Sequence, residues 1–185
     1  ISTGRKGDKF GIEWNKAEEI YEKISQYKSL QVNGITTHIG SQLTSLQPFE
    51  KAFTKIKDLV QLLKAKGLRI KYLDLGGGLG IPYQQNSENI PPNPEEYAKM
   101  IVNMIKDLGC VLVLEPGRLI VGNGGILVSK VTYNKKTSYK NFIILDAGMN
   151  DLMRPSLYGA SHELVPVRKS GAKAEVMEKV DIVGP

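Results

Sequence analysis

Between Glu13 and Tyr27 the apolar residues Trp14, Ala17, Ile20, Tyr21, Ile24 and Tyr27 recur at helical spacing, which predicts one amphipathic helix. A β-branched run from Val32 to Ile39 follows and predicts a strand that ends in His38-Ile39-Gly40-Ser41-Gln42. The next helix opens at Pro48, lines Phe49, Ala52, Phe53, Ile56, Leu59, Val60 and Leu63 along one face, and stops at Gly67. A second strand, Ile70 to Leu75, runs into Gly76-Gly77-Gly78. Prolines and polar residues break any period from Ile81 to Pro92, so this stretch reads as loop. Asn93-Pro94 then caps a third helix, with Tyr97, Ala98, Ile101, Ile105 and Leu108 on its face and Gly109 closing it. A third strand starts at the apolar run from Cys110 and ends in Glu115-Pro116-Gly117-Arg118.

Helices alternating with short apolar strands predict a parallel sheet covered by helices, because such strands are buried on both faces. Each strand also ends in glycine or polar chemistry, and in parallel architectures ligands sit beyond the carboxyl ends of the strands. After about Gly122 the pattern changes to β-branched runs at Ile126–Tyr133, Phe142–Leu145 and Glu175–Val183, without helical period, which predicts an antiparallel, all-β second domain. The division expected is residues 1–121 and 122–185. Three strand–helix repeats fall short of the eight in a closed barrel, and the last β-run stops at Pro185, so both domains read as incomplete.

A chain of 185 residues with 41% apolar content can bury a core. No apolar run approaches the ~20 residues needed to span a bilayer, and the opening ISTGRKGDKFGI has no signal-peptide pattern, so a soluble, cytoplasmic protein is expected. The net charge of +6 comes from lysines scattered over helix faces and loops, with no dense basic tract, so no nucleic-acid or membrane partner is expected. Cys110, the single cysteine, excludes an internal disulfide and reads as a buried structural thiol rather than a nucleophile. No metal site is expected.

The strand ends carry the candidate chemistry. A glycine run directly after a strand lets backbone N–H groups approach an anion, although on its own it serves equally as a tight turn. It is not a dinucleotide fingerprint, since Ile81 stands where the third glycine belongs and Pro82 blocks an immediate helix. Glu115, expected to be partly buried, either pairs locally with Arg118 or faces a protonated ring nitrogen while Arg118 takes a phosphate. A lone histidine such as His38 is more often structural, but beside a phosphate held by Ser41 its ring could stack on a flat cofactor. In the long turn from Asp146 to Gly159, Arg154 and Tyr158 by themselves read as surface decoration.

In order and separation, the segments HIGSQ, DLGGGLG, EPGR and DAGMNDLMRPSLYGASHE closely resemble the barrel-type pyridoxal 5'-phosphate-dependent amino acid decarboxylases. RPSLYGA is similar to the diaminopimelate branch in particular. The resemblance covers nearly the whole chain, including TGRKGDKFGI. It implies an α/β fold, part of a (β/α)8 TIM barrel followed by part of an all-β C-terminal domain. It also implies decarboxylation of meso-2,6-diaminopimelate to L-lysine, and a homodimer with shared active sites. The alternatives are a barrel decarboxylase of arginine, ornithine or carboxynorspermidine, or an inactive homologue that binds a partner. By this resemblance His38 stacks on the cofactor ring, Ser41, Gly76, Gly77, Gly78 and Gly117 surround its phosphate, Glu115 pairs with the pyridine nitrogen, and Arg118 meets phosphate and substrate. Arg154 and Tyr158 would grip the substrate's distal carboxylate, which ornithine and arginine lack. The family's cofactor-linking lysine lies upstream of this segment and its catalytic cysteine downstream. The 185 residues alone are therefore expected to be an inactive internal fragment.

Overall fold

The computed structural model describes residues 9–83, 90–168 and 178–185. The opening TGRKGDKFGI therefore lies mostly outside the described residues, as do positions 84–89 of the expected loop and 175–177 of the last expected strand. The chain divides into two compact units, and among the described residues the first holds 9–82 with 90–125 and the second Tyr83 with 126–168 and 178–185.

In the first unit, α1 (Trp14–Ser25) precedes β1 (Gly34–Thr36), α2 (Gln47–Ala65), β2 (Tyr72–Asp74), α3 (Pro94–Ile105), a 3-10 turn over Lys106–Leu108, β3 (Val111–Val113) and the short α4 (Gly117–Val121). The three strands form one parallel sheet in the order β1-β2-β3, in the register Gly34–Tyr72–Val111 through Thr36–Asp74–Val113. Parallel neighbours need a crossover, and α2 and α3 supply the two that are required.

The apolar face read from α2 is the one that is buried: Phe49, Phe53, Ile56, Leu59, Val60 and Leu63 all point into the core. They pack with Leu73 and Leu75 of the second strand region and with Tyr97 and Ile101 of α3. Phe49 meets Tyr97 edge-on with ring centroids 4.9 Å apart, an arrangement aromatic quadrupoles favour. Burial pushes the Tyr97 phenol up to about 12. α3 begins where Asn93 caps it, the side-chain oxygen accepting from the Glu95 N–H at 2.8 Å. By contrast α1 buries only Ala17, and Trp14, expected on its apolar face, is half exposed. That helix is held onto α2 at its surface by Lys66, which pairs with Glu18 and Glu22.

The strands depart from expectation in two ways. They are shorter than their apolar runs, and only the middle one is covered on both sides by neighbours. β3 is an edge strand whose Val111 is 51% exposed, so its apolar sequence is not buried on both faces. Cys110, just before it, is partly buried, with Sγ 3.4 Å from the Ile70 carbonyl oxygen.

The second unit contains β4 (Val131–Lys136), β5 (Asn141–Leu145), α5 (Arg154–Tyr158) and β6 (Val180–Val183). β4 and β5 form an antiparallel hairpin whose turn is fastened by Thr137 Oγ1, which accepts from the Lys140 N–H at 3.0 Å. β6 pairs with β5 in parallel, from Asn141–Val180 to Ile144–Val183, so the sheet is mixed rather than antiparallel. α5 likewise corrects the expectation of a unit without helix. Asp146, at the end of β5, accepts from the Lys130 N–H at 2.8 Å and from Ser129 Oγ at 2.7 Å. Those bonds hold its carboxyl below the usual carboxylate range, the Lys130 bond having the larger effect.

Candidate functional site

The chain leaves each strand of the first sheet at the same edge, and the candidate residues follow from that topology. His38 stands two residues after β1, Gly76–Gly78 begin two residues after β2, and Glu115 lies two residues after β3. Main-chain hydrogen bonds then stitch the three exits together. Thr37 N–H donates to Asp74 O at 2.9 Å, Glu115 N–H to Gly76 O at 2.8 Å and Leu43 N–H to Gly78 O at 2.9 Å. The Gly77 N–H points at His38 Nδ1, 3.4 Å away.

The glycines are what lets these exits approach. A Cβ on Gly77 would lie 2.0 Å from the Glu115 carbonyl oxygen, and one on Gly78 would lie 2.1 Å from that of Gly40. Gly76 and Gly78 in addition adopt positive φ, 68° and 99°, which other L residues rarely hold. The tight-turn reading of the run is the one its contacts show: the backbones of three strand ends meet there, and the Gly76 N–H donates to Asp74 Oδ1 at 2.8 Å. Ser41 is partly buried in the loop after β1, Gly117 opens α4, and Arg118 is its second residue. His38, Ser41, Gly76, Gly77, Gly78, Glu115, Gly117 and Arg118 therefore all lie at one edge of one sheet. Glu115 is exposed there, not partly buried as expected, because β3 forms the open side of the sheet.

One residue at this edge was not singled out by its sequence. Gln42 is the only described residue other than glycine with positive φ, 61°. Its amide accepts from Ile81 N–H at 3.2 Å, donates to Ile81 O at 2.6 Å and accepts from Arg118 Nη1 at 3.2 Å. No periodicity marks such a residue, since its partners lie 39 and 76 positions away.

Arg154 and Tyr158 belong to the second unit, at the first and last positions of α5. Arg154 Nη2 donates to the Tyr83 hydroxyl at 3.4 Å, and its guanidinium lies 5.7 Å from that ring's centroid. Tyr83 also meets His162 edge-on, with centroids 5.8 Å apart. Neither Tyr83 nor His162 was legible as a partner of Arg154, because nothing in the loop pattern pairs them. Tyr158 is exposed.

Comparison with known proteins bears on this arrangement. The family model described as "Pyridoxal-dependent decarboxylase, pyridoxal binding domain" matches residues 1–122. Over the whole chain, diaminopimelate decarboxylase of Vibrio cholerae is 45% identical and that of Aquifex aeolicus 43% identical. The chain spans 43% of the length of each of these relatives. The crystal structure of Helicobacter pylori diaminopimelate decarboxylase complexed with L-lysine superposes with a TM-score of 0.89 at 38% identity, over 100% of this chain and 44% of that one.

The first unit's strand-end edge fits a pyridoxal phosphate. An arginine and a serine hydroxyl suit a phosphate dianion, and the exposed Glu115 carboxylate suits a protonated ring nitrogen. Among the described residues no group of three or more His, Cys, Asp or Glu could hold a metal ion. With two thirds of its length matched by that one model, the chain belongs to the pyridoxal-dependent decarboxylases, and its residues 1–122 to their pyridoxal-binding domain.

Proposed function

We propose that the complete protein to which this chain belongs decarboxylates meso-2,6-diaminopimelate to L-lysine and carbon dioxide. In it, residues 1–121 would form part of a (β/α)8 barrel, and 122–185 would begin a β-rich C-terminal domain. The observation that carries the proposal is whole-chain identity of 45% to a diaminopimelate decarboxylase, with the candidate cofactor residues gathered at one sheet edge.

Pyridoxal phosphate, when bound, supplies an electron sink for the bond that breaks as carbon dioxide leaves. The chain's own residues then have distinct tasks. Arg118, Ser41, Gly117 and the main chain at Gly76–Gly78 hold the phosphate, and the His38 ring covers one face of the pyridine. Glu115 keeps a proton on the ring nitrogen, because an adjacent carboxylate favours the charged form of a base. Arg118 also meets the substrate, while Arg154 and Tyr158 take the substrate's distal carboxylate, a planar guanidinium and a phenol being suited to it. Residues supplied by the rest of the protein, in a homodimer with shared sites, complete the reaction centre.

Arg154→Met in the full-length enzyme tests the substrate assignment. Loss of a charge-assisted grip on the distal carboxylate should lower kcat/KM for diaminopimelate about 100-fold. Cofactor absorbance should be unaltered. An unchanged kcat/KM would remove Arg154 as the holder of the distal carboxylate, and absence of diaminopimelate turnover by the wild-type enzyme would remove diaminopimelate as the substrate.

A further inference from the structure

We propose that Gln42 is a positioning residue whose amide, locked on the main chain of Ile81, holds the Arg118 guanidinium in the orientation that takes the cofactor phosphate. The inference rests on the reading above that Arg118 meets that phosphate.

Three independent features of the first unit converge on this amide. Its two ends are fixed by opposite demands: Nε2 donates to Ile81 O at 2.6 Å, while Oε1 accepts from Ile81 N–H at 3.2 Å. Rotating the amide by half a turn would set a donor against a donor, so the oxygen can face only one way. Facing that way, it accepts from Arg118 Nη1 at 3.2 Å. Second, Gln42 holds a φ of 61°, a conformation that favours glycine, yet a long polar side chain occupies the position. Third, Gly80 makes room for it, since a Cβ there would lie 3.3 Å from both Cδ and Nε2 of Gln42 and 2.8 Å from the Leu43 carbonyl oxygen.

The acceptor's neutrality matters as much as its place. An amide oxygen restrains a guanidinium without cancelling its charge. A carboxylate at the same point would set an acceptor against the Ile81 carbonyl oxygen and offset the charge that draws the phosphate.

A residue that only stapled the loop at Ile81 would affect every ligand alike, whereas one that aims Arg118 affects the phosphate alone. The test therefore compares two probes, pyridoxal 5'-phosphate and phosphate-free pyridoxal, titrated by visible absorbance into the full-length enzyme freed of cofactor. Gln42→Leu should weaken pyridoxal 5'-phosphate about tenfold, the factor one positioned hydrogen bond carries, and leave pyridoxal unchanged. Arg118→Lys should weaken the phosphate form as well, and the double variant should bind it no worse than Arg118→Lys alone. Equal weakening of both probes by Gln42→Leu would overturn the proposal, as would retention by Gln42→Leu of the wild-type preference for the phosphate form. If Arg118→Lys itself keeps that preference, the phosphate reading of Arg118 falls and the role of Gln42 with it. If only Gln42→Leu keeps it, the phosphate reading stands and the role of Gln42 alone is lost. Should Gln42→Leu not fold, the isosteric Gln42→Glu decides: it should lose phosphate preference while retaining pyridoxal affinity, and an unaltered preference would overturn the proposal.

Discussion

A single methyl group distinguishes the two demands made on the glycines. Gly77 has ordinary φ, so alanine there tests space alone, and its Cβ would stand 2.0 Å from the Glu115 carbonyl oxygen. Because that neighbour is backbone, Gly77→Ala should cost about 1–3 kcal/mol in a denaturant melt by forcing the strand ends apart. It should also reduce cofactor affinity in the full-length enzyme. Gly109 is the converse case, with φ 59° and nothing within 4 Å of a Cβ, so Gly109→Ala should cost only about 1 kcal/mol of backbone strain. A glycine run after a strand is visible in the sequence as something unusual. What stands opposite each glycine is not, because Thr37, Gly40 and Glu115 arrive from other parts of the chain. The same holds for Gln42, whose written context, Ser41-Gln42-Leu43, discloses neither its φ nor its partners. Glu115 fails in the opposite direction: an apolar run before it implies burial, but whether a strand lies inside or at the edge depends on sheet order.

At the scale of the element, the long helices α2 and α3 are more legible than the strands, although Ala98 of the expected α3 face is exposed. α2 and α3 repeat their apolar residues over several turns, and the buried positions are those the 3.6-residue period marks. The cap of α3 was equally legible, since Asn93-Pro94 satisfies an N–H and presets the first turn. Asn93→Ala should remove the bond to Glu95 and cost about 1 kcal/mol by thermal or denaturant unfolding. Strands carry less information, because a strand's pairing partner is not written in its own residues. Hence the parallel partnership of β6 with β5 went unread, and so did α5, a helix of five residues too short to show a period.

At the scale of the molecule, the core of the first unit carries a measurable pH signature. The Tyr97 phenol, packed against Phe49 and Phe53, is pushed up to about 12 from 10.0 by burial. Below pH 10 the phenol is protonated in both folded and unfolded chains, and its stabilising contribution is fully present. Between 10 and about 12 the unfolded chain ionises first, so stability should fall with rising pH across that window. The denaturation midpoint should therefore decline more steeply in the wild type than in Tyr97→Phe, and parallel curves would contradict the assignment. The two units also assemble by different routes. In the first, each strand meets a neighbour that preceded it by one helix, whereas β5 takes its second neighbour only after residues 146–179 have intervened. During synthesis at the ribosome the β4–β5 hairpin can thus form early and wait, with Ile143 and Ile144 lacking their partners Ile182 and Val183, until β6 emerges. A pause in translation within that interval would lengthen the exposure of that strand edge.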